Sequence, residues 1–501
     1  MTFNLDIDAA LALAKPGVVI PITMKVFGGN QTPVGVFDKF SGSNSSTFLL
    51  ESAEQGIWSR YSFIGIESRN EIIYSDQEFQ ITNAETLFPV PTEVPSDPLA
   101  LVTQVQSAWQ TSQIEGLPPL TSGLVGLFGW DLIREIENIP SVKNPPYESP
   151  TIHLQMVKNL IVIDHVENSL LLVSNLYCRD GDDYSAGYKE AVQQLTAIRE
   201  ILTEPSSDEF FTASHVETEE LSTNQSHKEF LDSVLKAKEY VRIGDVFQVV
   251  ISQRFELEVS AKPVDVYRVL RSINPSPYMY LLNFRDKNGN YSVVGSSPEA
   301  LVKVEEGSVT MHPIAGSRPR GNSPTEDEEL ATALLADTKE QAEHLMLVDL
   351  ARNDLLKVCE PDSISVKKFM KIERFSHVMH LVSDVQGKLR AESNPVELLK
   401  ATFPAGTLSG APKPRALEII EELEPDKRGI FGGVVGYFDF AGNADLAISI
   451  RTAFIRNGRA YVQAGAGIVL DSVPESEYQE TIAKASAVLR AIKQANSNFA
   501  G

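Results

Sequence analysis

The sequence predicts an α+β protein in which sheets and helices form layers. Its β-rich runs come in groups, such as Val157–Ile163 and Ser169–Tyr177, which flank Asp-His-Val-Glu-Asn and read as a hairpin. Helical patterns fall between such groups instead of alternating with single strands, which disfavours a doubly wound parallel sheet. A content of 43% hydrophobic and 8% aromatic residues in 501 positions supplies apolar surface for a full core, in two domains or one large composite.

Taken in order, Gly123–Trp130 is a glycine-punctuated strand, a pattern of close backbone packing rather than phosphate binding. A helix follows over Tyr188–Thr203. From Glu204 to Ser226 the composition turns to Ser, Thr, Glu, Asp and Pro without periodicity. This divides the chain into an N-terminal domain (1–205), a linker (206–226) and a second domain (227–501). Ser226 with Glu229 makes a capping box for a helix that Gly244 stops, and a β-run covers Val246–Phe255. Two strands are expected within Tyr291–Ile314, around Glu305-Glu306-Gly307. Strands are also expected over Ser376–Val385, Gly432–Phe440 and Ala460–Val469, and helices over Asp337–Asp354, Ala411–Glu422 and Pro474–Gln494.

A formal charge of −23 argues against nucleic acid or an anionic membrane as partner, since neither would meet a basic patch. An anionic ligand would need cations supplied locally by Arg, Lys, helix N-termini or a metal. Two cysteines, Cys178 and Cys359, make neither a disulfide framework nor a zinc cluster. The start, Met-Thr-Phe-Asn-Leu-Asp, has no signal-peptide character, and no apolar run approaches the ~20 residues of a membrane helix. The expectation is a soluble cytoplasmic protein.

Chemistry concentrates on two helices. In Asp337–Asp354, a period near 3.6 puts Glu340, Glu343, Leu347, Leu350 and Asp354 on one stripe. In the last helix Glu477 and Glu480 share a face with Lys484. Each Glu pair reads either as a solvated acidic helix start or, if the two face each other, as oxygen ligands for a hard cation such as magnesium. A di-iron site is disfavoured, because it wants Glu-x-x-His and the last helix has no His. Met311–Gly321 reads as a rigid cationic turn, either an anion holder or a plain basic loop. Gly406–Lys413 runs into a helix N-terminus without Walker A spacing. His380 sits in an alternating strand, where a core role and a catalytic one both remain open.

Together these residues resemble the chorismate-binding enzymes, most closely the component I family of anthranilate synthases. The resemblance rests on Pro313–Gly321, Ala342–Asp354, Ser376–His380, Phe403–Lys413, Gln463–Gly467 and Asp471–Pro474, in that order. Leu49–Ser52 and Trp58–Gly65 extend it toward the N-terminus. It implies large, mostly antiparallel sheets in a sandwich with helices outside. It also implies a magnesium-dependent lyase that converts chorismate and ammonia, through an aminated intermediate, to anthranilate and pyruvate in tryptophan biosynthesis.

By motif, the resemblance makes Glu343 and Glu480 the Mg2+ ligands, with Glu340 and Glu477 behind them. Gly316, Ser317, Phe431, Arg451, Gly465, Ala466, Gly467 and Lys484 become substrate contacts, and Glu299 and His380 the proton-transfer groups. Ser52 with Pro277, Tyr278 and Met279 matches a tryptophan site for feedback inhibition, to which the N-terminal domain contributes along with partner contacts. The implied partner is a glutamine amidotransferase subunit supplying ammonia, two of each subunit per assembly. Ala315 and Gln248 stand where relatives that use an enzymic amine or an activated water carry Lys, which favours external ammonia as nucleophile. Phe431 replaces a common Tyr, Ser317 a Thr, and Leu355-Leu-Lys a Leu-Gly-Arg. The alternatives are an aminodeoxychorismate synthase component and a non-catalytic tryptophan-sensing subunit.

Overall fold

A computed structural model describes residues 2–27, 31–42, 46–52, 60–140, 143, 145, 147–204, 222–374 and 378–499. Its strands form one hydrogen-bonded network folded into two layers. The first layer runs Val18–Val26, Ser169–Tyr177, Ile152–Asp164, Tyr61–Ser75, Thr47–Glu51, Tyr278–Asp286, Gly289–Ser297, Thr452–Arg456, Arg459–Ile468 and Gln248–Glu258. The second returns from Ile152–Asp164 through Gly123–Phe128, Val434–Asp439, Ala444–Ile448, Ala300–Glu305, Ser308–Met311 and Val378–Lys388. Ile314–Pro319 and Ser365–Arg374 flank that last strand. Pairing is antiparallel except where Gln110–Thr111 joins Val18–Val26.

The long strands Tyr61–Ser75 and Ile152–Asp164 belong to both layers. They pair along almost their whole length, with register shifts between Gly65 and Asn70. Extra residues at such bulges bend a strand, and here the bend carries the pair from one layer into the other.

Alternation along the strands gives each layer an inner and an outer face. Phe48, Phe63, Tyr280, Phe284 and Phe454 of the first layer meet Val125, Leu127, Val435 and Tyr437 of the second between the sheets. Helices Pro33–Ser41, Tyr184–Thr203, Pro263–Ile273 and Pro474–Phe499 cover the outside of the first. Helices Pro98–Ala108, Thr338–Leu356 and Pro395–Thr402 cover the second, while His227–Ile243 and Lys413–Leu423 pack on Gln248–Glu258 of the first. This is the expected sandwich with helices outside. Strands from both sides of the 206–226 segment pair directly, with Met279 opposite Glu51 and Gly436 opposite Gly126.

Local signals translate into local structure. Ser226 Oγ accepts from Glu229 N at 3.3 Å and Glu229 Oε2 from Ser226 N at 2.8 Å, while Gly244 closes the helix at φ +87°. Two expectations need correction. The stretch read as a cationic turn, Met311–Gly321, contains the strand Ile314–Pro319, because its backbone groups pair with Val378–Val382 and the turn-like glycine is absorbed as a bulge at Gly316. Ala411 pairs with Gln248 in a short strand, so the following helix starts only at Lys413. The start of the Ser376 strand lies outside the described residues, which resume with Val378. No helix among the described residues is long and apolar enough to cross a membrane.

Candidate active site

The helix Thr338–Leu356 begins at Asp337, whose Oδ1 accepts from Lys339 N at 3.0 Å and Glu340 N at 3.2 Å. The cap fixes the first turn, which carries Glu340, with Glu343 three residues on. Burial and the negative charges of Glu340 and Glu480 push the Glu343 carboxyl above its ordinary value, against a hydrogen bond from Gln248. The two Glu pairs of the sequence are therefore brought within electrostatic reach of each other. Gln248 is itself buried, and a Cβ on Gly467 would overlap its amide nitrogen, so glycine there leaves room for the Gln248 side chain.

On the facing helix, Lys484 Nζ lies 2.7 Å from Glu480 Oε1 and donates to Gly465 O at 2.9 Å. Gly465, Ala466 and Gly467 lie opposite Ser252, Ile251 and Val250. Burial, then the neighbouring Glu480, raise the Glu477 carboxyl, opposed by a hydrogen bond with Ser472.

Glu299 follows the strand Gly289–Ser297. Burial pushes its carboxyl up to about 7, while a hydrogen bond from Thr407 and the charges of Lys484 and Arg451 hold it lower than burial alone would. The Thr407 hydroxyl reaches Glu299 Oε1 at 3.0 Å. Arg451 adopts a left-handed backbone, φ +49°, uncommon for a side chain of this size, and its carbonyl accepts from Ser296 N at 3.1 Å. This strand-end turn brings its charge near Glu299 and also near His380.

His380 is half-buried and pairs with Ser317 across the strands. Its Nδ1 donates to Gly316 O at 3.0 Å. Burial lowers its pKa below the ordinary value, and the Arg451 charge adds to this. The imidazole is thus neutral near pH 7, with Nε2 as the basic nitrogen. Gly316 has φ +68°, and a Cβ there would lie 2.9 Å from Glu340 Oε2. Arg318 ties the same strand to the acidic helix, 2.8 Å from Asp337 Oδ2 and 3.3 Å from Glu340 Oε1.

Leu347, Leu350 and Asp354 line a small open cavity of about 40 Å3 together with Glu299, Thr407 and Ile448. Three residues of the stripe read from the sequence thus line one shared concavity. Asp354, at its far end, is held by Lys413 at 2.6 Å and Lys357 at 3.0 Å. Lys413 is therefore engaged in a buried pair, and the Gly406–Lys413 stretch contributes Thr407 instead of a helix-terminal anion site. Phe431 is buried on another side, near the Arg428 guanidinium. Ser317 is exposed.

The strand pairing sets Met279 opposite Glu51, so Tyr278 and Ser52 each adjoin a paired residue in sequence. Glu51 anchors this corner, accepting from Tyr267 Oη at 2.6 Å and Arg271 Nε at 2.7 Å. The Tyr278 hydroxyl turns inward to Asp445.

Thr407, Gln248 as a partner of Glu343, and Arg318 were not singled out from the sequence as contacts. Thr407 and Arg318 lay within quoted motifs, but their pairing depends on distant elements. Among the described residues, no three His, Cys, Asp or Glu side chains form a metal cluster of their own. Carboxylates near one another, with Glu343 raised by burial and then by Glu340 and Glu480, nevertheless fit magnesium, which takes one or two carboxylates and fills its remaining positions with water and an anionic substrate.

The family profile for chorismate binding enzymes matches residues 45–490. The anthranilate synthase component 1 of Arthrobacter globiformis is 48% identical over 97% of this chain and 92% of its own length. That of Acetivibrio thermocellus is 44% identical over 98% of this chain and 99% of its own length. The crystal structure of anthranilate synthase component I from Streptococcus pneumoniae TIGR4 superposes with a TM-score of 0.76 at 36% identity, covering 92% of this chain and 98% of that one. The menaquinone-specific isochorismate synthase MenF of Escherichia coli, at 17% identity and a TM-score of 0.70 over 96% of this chain and 95% of that one, shares the fold. The chain belongs to the chorismate-binding enzymes, within the anthranilate synthase component I family.

Proposed function

We propose that this chain is the chorismate-converting subunit of an anthranilate synthase, acting in tryptophan biosynthesis. The overall change joins chorismate and ammonia and releases water, pyruvate and anthranilate. The observation that carries this reading is the pair Ala315 and Gln248. Ala315 offers a methyl group and Gln248 an amide already bonded to Glu343, so neither supplies an amine nucleophile or a base, and ammonia must come from outside. Glu299, its pKa raised to about 7, keeps a substantial protonated fraction at neutral pH and donates its proton to the departing ring hydroxyl as ammonia adds. Neutral His380, oriented by Gly316 O, then assists proton transfer as pyruvate leaves and the ring becomes aromatic. Arg451, Lys484, the Gly465–Gly467 backbone and the Gly316–Ser317 strand bind the substrate's carboxylates, with Phe431 as an apolar wall.

Glu343 and Glu480 would hold Mg2+, with Glu340 and Glu477 supporting through water. Bound there, Mg2+ would supply positive charge for the ring carboxylate of chorismate. A glutamine amidotransferase subunit supplies ammonia in an assembly with two copies of each chain, in the cytoplasm. Tryptophan inhibits by binding at Ser52, Pro277, Tyr278 and Met279, on the seam where residues 1–205 meet the later strands.

The deciding experiment incubates the purified chain with chorismate, Mg2+ and an ammonium salt at raised pH. Anthranilate fluorescence and pyruvate release, both suppressed by tryptophan, are the expected result. Formation of 4-amino-4-deoxychorismate without pyruvate would overturn the reading.

A further inference from the structure

Arg428 is 1% exposed and Glu424 3%, on the connection that follows the helix Lys413–Leu423. Glu424 Oε2 accepts from Arg428 Nε at 2.9 Å and Oε1 from Nη2 at 2.7 Å, a two-pronged pair. The remaining donors go to backbone: Nη1 to Leu408 O at 2.6 Å and Nη2 to Val250 O at 2.9 Å. The guanidinium also lies 4.3 Å from the Trp130 ring centre and 5.5 Å from that of Phe431.

These contacts fill a gap in the sheet. On the side of Gln248–Glu258 away from Arg459–Ile468, Gly410–Ala411 pair with its first residues and Ser222–Thr223 with Phe255 and Glu256. Between those short partners no strand among the described residues covers Val250 O or Ser252 N. Arg428 takes the first, and Glu424 Oε1 takes the second at 2.8 Å along with the Ser252 hydroxyl at 2.7 Å. The ion pair thus stands in for a missing strand segment. Leu408 is the neighbour of Thr407, which reaches Glu299, and Val250 lies opposite Gly467.

We infer that the Arg428–Glu424 pair is a positioning device for the reaction. It fixes the 405–409 loop and the strand Gln248–Glu258 against each other, and so sets where Thr407 meets Glu299 and where Gln248 meets Glu343. This rests on the chorismate-converting reading above. Neither residue touches the reacting atoms, so both act through the groups they hold.

The test compares parent, Arg428→Lys and the double variant Arg428→Met/Glu424→Leu, with chorismate, Mg2+ and ammonium chloride, kcat being normalised to folded protein by circular dichroism. Replacing a whole buried ion pair with apolar groups commonly preserves folding. The lysine variant keeps the charge against Glu424 but lacks the fork that reaches two carbonyls. Folded variants should lose about tenfold to a hundredfold in kcat, as misplacements of about 1 Å do, with KM for ammonium within about twofold of the parent. A role in stability alone would lower the melting temperature and leave kcat per folded molecule unchanged. Either variant, folded and within about twofold of parental kcat, overturns the inference; if the double variant does not fold, the lysine variant decides. A parent that makes no anthranilate sinks the functional reading itself, and this inference with it.

Discussion

The Thr407 hydroxyl donates to Glu299 Oε1 at 3.0 Å, joining a loop to a strand end more than a hundred residues earlier in the chain. That bond favours the charged carboxylate and so opposes the burial that raises the Glu299 pKa to about 7. With Glu299 as the proposed proton donor, kcat should fall as pH rises through about 7 on this limb of the profile. Thr407→Val removes the opposing bond, and the limb should move to higher pH. Glu299→Gln should lose about a hundredfold or more in kcat and lose the limb altogether. A pH–rate profile with the limb unmoved in Thr407→Val would refute the coupling.

The same carboxyl makes a stability prediction. Its folded pKa of about 7 exceeds the ordinary 4.5, so the folded state binds this proton more tightly than the unfolded one. The contribution is complete below the unfolded value and is lost as pH rises through the folded one. Glu299→Gln and the parent should therefore melt alike near pH 4, and the variant should melt higher above pH 7. Equal differences at both pH values would contradict the assignment.

Glu343 is penalised in its charged form by burial and by Glu340 and Glu480. Glu343→Gln should not lower the melting temperature in chelator at neutral pH. It should cost about a hundredfold or more in Mg2+-supported turnover, the kinetic counterpart of several kcal/mol of charge stabilisation. Chelator should silence the parent, and added Mg2+ restore it. Full metal-dependent activity in Glu343→Gln would defeat its role as a ligand.

Lys413 and Asp354 form a buried pair 2.6 Å apart, with Lys357 on the other carboxylate oxygen. Lys413→Met should destabilise the protein by about 3 kcal/mol, at the lower end of such losses because Lys357 remains. Denaturant unfolding measures this, and a change below about 1 kcal/mol would place the pair among surface bridges in weight.

Ser52→Phe should leave turnover in the absence of tryptophan unchanged, while the inhibition constant rises at least about tenfold, the equivalent of 1.4 kcal/mol of lost binding. Titration of the fluorescence assay with tryptophan reads this directly. Unaltered inhibition would remove Ser52 from the inhibitor site.

Much of this was legible where the signal is local. Ser226, Glu229 and Gly244 announce a helix within a few residues, and a period near 3.6 places Glu340 and Glu343 on one face. What was not legible depends on pairing across the chain. The glycines and prolines of Met311–Gly321 spell a turn, yet a partner strand some sixty residues on supplies hydrogen bonds that make Ile314–Pro319 a bulged strand. The contact of Thr407 with Glu299, or of Gln248 with Glu343, leaves no periodic trace because each joins segments brought together only by the sheets. The bend of Tyr61–Ser75 and Ile152–Asp164 from one layer to the other is likewise a product of register and not of composition.

That bend decides how the molecule can be cut. Because the shared strands run through both layers, and because Thr47–Glu51 and Gly123–Phe128 each take up a place beside strands from the later half, severing the polypeptide between 205 and 221 would break a covalent thread but none of these ladders. The two pieces of a nicked molecule should travel together on a sizing column. A gene fragment encoding only residues 227–501 would instead leave the bare edges of Tyr278–Asp286 and Val434–Asp439 to pair with whatever strand they meet, an invitation to aggregation. Catalysis here is the property of a single interwoven body rather than of a module that can be lent to another protein.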